Sequence, residues 1–191
     1  GIIGVRVAFI ANRIEDQLTL YDAAAGQPLD LTVEFRRDIL DQLLMIDADR
    51  YTVVNDQLIP TGELRDVTGT PFDFRTLKPV GRDMDAVEGG YDHNFVLNKP
   101  DQFRRIAVLK DSTSGRMMEV FSDQPGVQFY GGNFLDGSLT GKGNKKYYKH
   151  YGLCLETQHF PDSPNHPEFP GTILKPGEEF KTVTVYKFGV D

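Results

Sequence analysis

Tryptophan is absent from this 191-residue chain, and cysteine occurs once. The lone Cys154 excludes an internal disulfide and suits a reducing compartment. There is no cysteine pair and no His-Glu-x-x-His run, so the strongest zinc signatures are missing. His159 and His166 flank Asp162, but their loop holds four prolines and no regular ligand spacing. No metal and no other cofactor is expected. No apolar run approaches the roughly 18 residues of a membrane-spanning helix. The N-terminus, GIIGVRVAFIANRI, lacks the charged region and cleavage site of a signal peptide. No Asn-x-Ser/Thr sequon occurs. These absences predict a cytoplasmic protein. Positive charge is scarce too: 21 Lys and Arg stand against 28 Asp and Glu, for a net charge of −7. That removes any global electrostatic case for nucleic acid or anionic membrane.

Glycine (19), proline (11), phenylalanine (13) and tyrosine (8) are plentiful. At this length one domain, 1–191, is the default, with enough chain for a real core. Short alternating runs recur between Gly- and Pro-rich breaks, which predicts many short strands rather than long helices. They are Val5–Ile10, Gln17–Tyr21, Tyr51–Val54, Asn94–Leu97, Arg105–Lys110, Met117–Phe121, Val127–Asn133, Tyr148–Glu156 and Phe180–Phe188. Pro125-Gly126 and Pro176-Gly177 mark turns that enter strands. One stretch reads two ways. FRRDILDQLLMI has Ile39, Leu40, Leu43 and Leu44 at helical spacing behind a capping Asp38, yet its surroundings are strand-like.

Three segments could carry chemistry. In YGLCLETQHFPDSPNHPEFP, Tyr151 to Pro170, Leu153 and Leu155 share one strand face and Glu156 lies on the other. A carboxylate at the mouth of a rigid loop suits a general base, though a surface or salt-bridged glutamate gives the same spacing. In EGGYDHNFVL, Tyr91, Asp92, His93 and Asn94 supply four polar-capable side chains, suited to a polyhydroxylated ligand or to a plain polar turn. In PGVQFYGGNFL, Gln128 and Tyr130 face away from Val127 and Phe129. Gln128 could offer donor and acceptor to a sugar, or simply lie on an exposed face. The lysines and tyrosines of GSLTGKGNKKYYKHY form no Walker loop and read as a solvated loop.

These motifs together resemble the aldose 1-epimerase (galactose mutarotase) family. DADRYTVVNDQLIPTGELRDVTGTPFDFR, GGYDHNFVL, PGVQFYGGNFL, LCLETQHFPDSPNHPEFP and LKPGEEF occur in family order over about residues 39–191. The resemblance implies an all-β fold, a large antiparallel β-sandwich with a sugar cleft on one face. It favours strand over helix for the ambiguous stretch. It implies an isomerase that interconverts the anomers of an aldohexose such as galactose or glucose by acid/base ring opening and closure. Carried over, Glu156 is the base that takes the anomeric proton, while Asp92 and Gln128 bind sugar hydroxyls. Asn12 and Arg13 sit in a short match to an early family motif, which makes them sugar-binding candidates.

The departures are specific. The family's general-acid histidine motif has no counterpart in LDLTVEFRRD, Leu29 to Asp38, where Glu34 lies near that place. The earlier histidine-glycine-glycine motif is absent as well. His93, His150, His159 and His166 all lie in later segments. A sugar-binding relative without turnover is therefore the second reading. The chain opens on Gly1, which predicts a processed, trimmed or partial sequence. An incomplete sandwich leaves bare edges, so the expected partner, besides a monosaccharide, is a second copy or a completing chain.

Overall fold

The computed structural model describes residues 38–190, except the Lys142 side chain, and the backbone of three earlier strands. These three are β1 (Phe9–Ala11), β2 (Leu20–Tyr21) and β3 (Pro28–Leu29). Then come β4 (Leu43–Ile46), β5 (Ala48–Val54), β6 (Pro60–Asp66), β7 (Lys78–Pro79), β8 (Asp92–Leu97), β9 (Arg104–Lys110) and β10 (Arg116–Ser122). The last are β11 (Gly126–Tyr130), β12 (Thr140–Gly141), β13 (Lys145–Lys146), β14 (Gly152–Gln158) and β15 (Thr184–Val190). Helix among the described residues is limited to 3₁₀ segments at Val80–Ala86, Lys142–Asn144 and Ser163–Asn165.

Two antiparallel sheets carry the fold. The first has the order β1-β14-β11-β8-β5-β6, and the second β15-β10-β9-β4-β7. Period-two alternation explains why they stack. Phe95, Val127, Phe129, Leu153 and Leu155 of the first sheet are buried in the same cluster as Leu44, Ile46, Leu109, Met118 and Val120 of the second. Phe74, Tyr91 and Phe129 pack with ring centroids 5.1–5.6 Å apart at its centre. The sheets are also tied by polar bonds. Tyr186 Oη of β15 donates to Leu155 O of β14 at 3.0 Å, and the Thr157 and Thr184 hydroxyls meet at 2.7 Å.

Strand boundaries differ from the sequence pattern for local reasons. The predicted Val127–Asn133 strand ends at Tyr130, because Gly131-Gly132 turns the chain. Gly132 has φ +70, and a Cβ there would lie 2.4 Å from Gly152 O, so only glycine fits. The predicted Tyr148–Glu156 strand starts at Gly152, after a turn with His150 at φ 62. The predicted Phe180–Phe188 strand becomes Thr184–Val190, since Val183 N–H is spent on the Asp123 carboxylate. In the ambiguous stretch, Leu40 N–H donates to Asp38 Oδ1 at 3.1 Å, which caps a turn rather than a helix. Leu43–Ile46 then pairs with β9, and sheet pairing overrides the helical period.

Candidate functional site

Three adjacent strands build the site. β8, β11 and β14 lie side by side, and their registers place residues in rungs across the sheet. One rung reads Asn94–Gln128–Glu156, flanked by Asp92–Tyr130–Cys154 on one side and Val96–Gly126–Gln158 on the other. The intervening rungs, His93–Phe129–Leu155 and Phe95–Val127–Thr157, face the core instead. Alternation thus puts one polar rung on the outer face of an apolar sheet.

Gln128 and Glu156 are half-buried, as is Asp92. Gln128 Nε2 donates to Asp92 Oδ1 at 2.8 Å, and Gln128 Oε1 accepts from Gln158 Nε2 at 3.4 Å. Burial holds the Glu156 carboxyl above the ordinary carboxylate range, and the negative charge of Asp92 adds to the rise. The Cys154 thiol opposes it by hydrogen-bonding to Glu156. That thiol is itself buried and pushed up to about 12, so it stays protonated and acts as a donor. Glu156 is therefore a carboxylate of raised basicity on a partly exposed polar face.

The proline-rich loop closes one side. Phe160 and Phe169 pack on Val96, with Leu64 of β6 against them. The His166 ring pins this loop: Nε2 lies 3.2 Å from Pro60 O and 3.4 Å from Asp162 Oδ2, and Nδ1 lies 3.3 Å from Glu168 Oε1. On the opposite side Tyr130 stacks on the exposed Phe134, with centroids 5.8 Å apart.

The family model described as Aldose 1-epimerase matches residues 29–187. This chain belongs to the aldose 1-epimerase family. Galactose mutarotase of Rattus norvegicus is 47% identical over 154 residues, covering 80% of this chain and 45% of that protein. Aldose 1-epimerase of Escherichia coli (strain K12) is 38% identical over 159 residues, covering 79% of this chain and 46% of that protein. A solved aldose epimerase homologue from C. elegans superposes with a TM-score of 0.73 at 28% identity, covering 80% of this chain and 47% of that one. This epimerase-family chain thus spans a little under half the length of the curated relatives it matches.

Asp92, Gln128 and Glu156 lie on one face of the sheet. Asn12 and Arg13 lie outside the described residues, and so does Glu34. The Tyr91–Asn94 cluster does not act as one surface. Tyr91 is buried in the core and its hydroxyl donates to Pro71 O at 2.8 Å. His93 also turns inward: Phe72 lies 4.7 Å away, its Nδ1 accepts Asp92 N–H at 3.1 Å, and burial lowers its pKa to about 4. Strand alternation forces this, since consecutive side chains take opposite faces. Asn94 is on the polar face but 1% exposed. The other histidines are engaged elsewhere. His150 Nδ1–H donates to Gly131 O at 2.7 Å, His159 packs near Phe180, and His166 serves the loop. Among the described residues no group of three or more His, Cys, Asp or Glu is placed to hold a metal ion. No described helix is long and apolar enough to cross a membrane.

Proposed function

We propose that this chain carries the base half of an aldose 1-epimerase site and interconverts the α and β anomers of a hexose such as galactose or glucose. The observation that carries this reading is the polar rung: Gln128 and Glu156 sit on neighbouring strands, with Asp92 bonded to Gln128. Neighbouring strands are about 5 Å apart, so the rung spans about 10 Å, the footprint of one monosaccharide. Glu156 takes the proton from the anomeric hydroxyl. The C1–O5 bond breaks, the ring oxygen gains a proton, and the C1–C2 bond rotates. On closure O5 attacks the other face of C1 and gives its proton back to water, while Glu156 returns its proton to O1. Asp92 accepts hydrogen bonds from sugar hydroxyls, and the Gln128 amide both donates and accepts. Its matched relatives carry the names galactose mutarotase and aldose 1-epimerase, which supports the reaction class.

The test is polarimetry on freshly dissolved α-galactose. Glu156→Gln keeps the shape of the side chain and removes its basicity. Mutarotation above the spontaneous rate should then fall by about 10²-fold or more. Equal rates for parent and variant would refute the assignment. A second reading, sugar binding with little turnover, is favoured by one observation. Each histidine among the described residues either faces the core or is engaged away from the polar rung. With no imidazole at hand, water protonates the ring oxygen, and the chain is a weak catalyst.

A further inference from the structure

We propose that the Asn94 amide holds a buried water molecule beneath Phe160, and that this water fixes the side chain of Gln128. Asn94 is 1% exposed, yet neither its Nδ2 nor its Oδ1 has a hydrogen-bond partner among the described residues. Buried amides are nearly always satisfied, by protein or by ordered water. The nearby Thr52 hydroxyl does not serve it: that group donates to the Asn94 backbone carbonyl at 3.3 Å. Asn94 stands directly opposite Gln128 in the β8–β11 register, where facing β-carbons are about 5 Å apart.

Gly126 has no need of left-handed backbone; its missing Cβ is what lets the Asn94 amide and the Phe160 ring close over it. A Cβ there would lie 2.5 Å from Asn94 Oδ1, 3.0 Å from Phe160 Cδ1 and 3.2 Å from Gln158 O. Phe160 roofs the position and belongs to the apolar cluster with Val96 and Phe169. A buried water needs two to four polar partners. The Asn94 amide, the Gln158 carbonyl and Gln128 Oε1 provide them. Gln128 Oε1 has capacity to spare, since the bond it accepts from Gln158 among the described residues is long at 3.4 Å. The water accepts from Asn94 Nδ2–H and donates to Gln128 Oε1. Gln128 is then held at both ends, by the water at Oε1 and by Asp92 at Nε2. Asn94 is a positioning residue: it is sealed from the sugar and acts through Gln128. Its effect on sugar binding rests on the proposed function above.

Crystal structures of the parent chain and of Asn94→Leu, a near-isosteric apolar change, test this. Density for a water within hydrogen-bond reach of Asn94 and Gln128 is expected in the parent. In Asn94→Leu the water should be gone and Gln128 displaced from its 2.8 Å bond to Asp92. D-galactose affinity, read by calorimetry, should fall about ten-fold. Asn94→Asp keeps the shape but lacks the Nδ2–H that donates to the water, so Gln128 should be displaced in it as in Asn94→Leu. A dry Asn94, or an amide bonded straight to protein, overturns the proposal. So does an Asn94→Leu protein in which Gln128 has not moved. If the parent binds no galactose, the proposed function fails, while the two maps still decide the water. If Asn94→Leu does not fold, the parent map and Asn94→Asp decide it alone.

Discussion

At the residue scale the proposed function makes the balance of forces on Glu156 the determinant of the working pH. Burial and the Asp92 charge raise its carboxyl, and the Cys154 thiol lowers it. A raised carboxyl in the folded state favours the neutral form. The stability it contributes is full at low pH and is lost as pH rises through the raised value. Basicity runs the other way: the carboxylate form of the proposed base is lost as pH falls through that same value. Asp92→Asn removes the neighbouring charge, so the acidic limb of the pH–rate profile should move to lower pH. A limb that stays in place would show that Asp92 does not feel Glu156. Asp92→Ala tests contact rather than charge. A hydrogen bond to a charged group contributes about 1.5–3 kcal/mol, so hexose affinity should fall roughly ten-fold or more. Calorimetric titration with galactose reads this directly, and unchanged binding would remove Asp92 from the site.

At the element scale the proline-rich loop is the part most exposed to single changes. Its anchor is the His166 ring, whose two nitrogens face the oxygens of Pro60, Asp162 and Glu168 and whose face packs 4.8 Å from Phe169. His166→Ala removes all of these contacts at once. Amide hydrogens of Ser163–Phe169 should then exchange faster while those of β8 and β11 do not change. Uniform exchange across the molecule would contradict an anchoring role. The link to β6 was not legible beforehand, because Pro60 lies about a hundred residues earlier in the chain. What was legible followed from period two. The opposite faces of Leu155 and Glu156, and of Phe129 and Gln128, could be read directly from alternation. The same rule, applied to Tyr91–Asn94, would have sent His93 inward; reading the four as one polar cluster ignored it. β6 escaped notice because its residues are mostly exposed and polar, so no apolar stripe marks it.

At the scale of the whole molecule, apolar surface is left uncovered. On β15, Phe188 is 50% exposed and Val190 71%, and β15 pairs only with β10 among the described strands. Phe103 and Phe134 are also exposed. Seven-residue edges with apolar side chains invite further pairing. Sedimentation of the chain as written should therefore show species heavier than 21.5 kDa, or poor solubility. A clean monomer at that mass would show that these surfaces are tolerated. The alternating rungs have a different consequence, for how the protein can change. Core and site are two sides of the same three strands, and each residue belongs to one by parity alone. Substitution can alter Gln128 without touching Val127 or Phe129. Insertion or deletion of a single residue within β11 cannot, because it hands the amide to the core and a valine or phenylalanine to the polar face. Only in the connecting loops does a change of length leave this parity intact, so the polar face of this sheet can be edited letter by letter but not by reading-frame-preserving gaps.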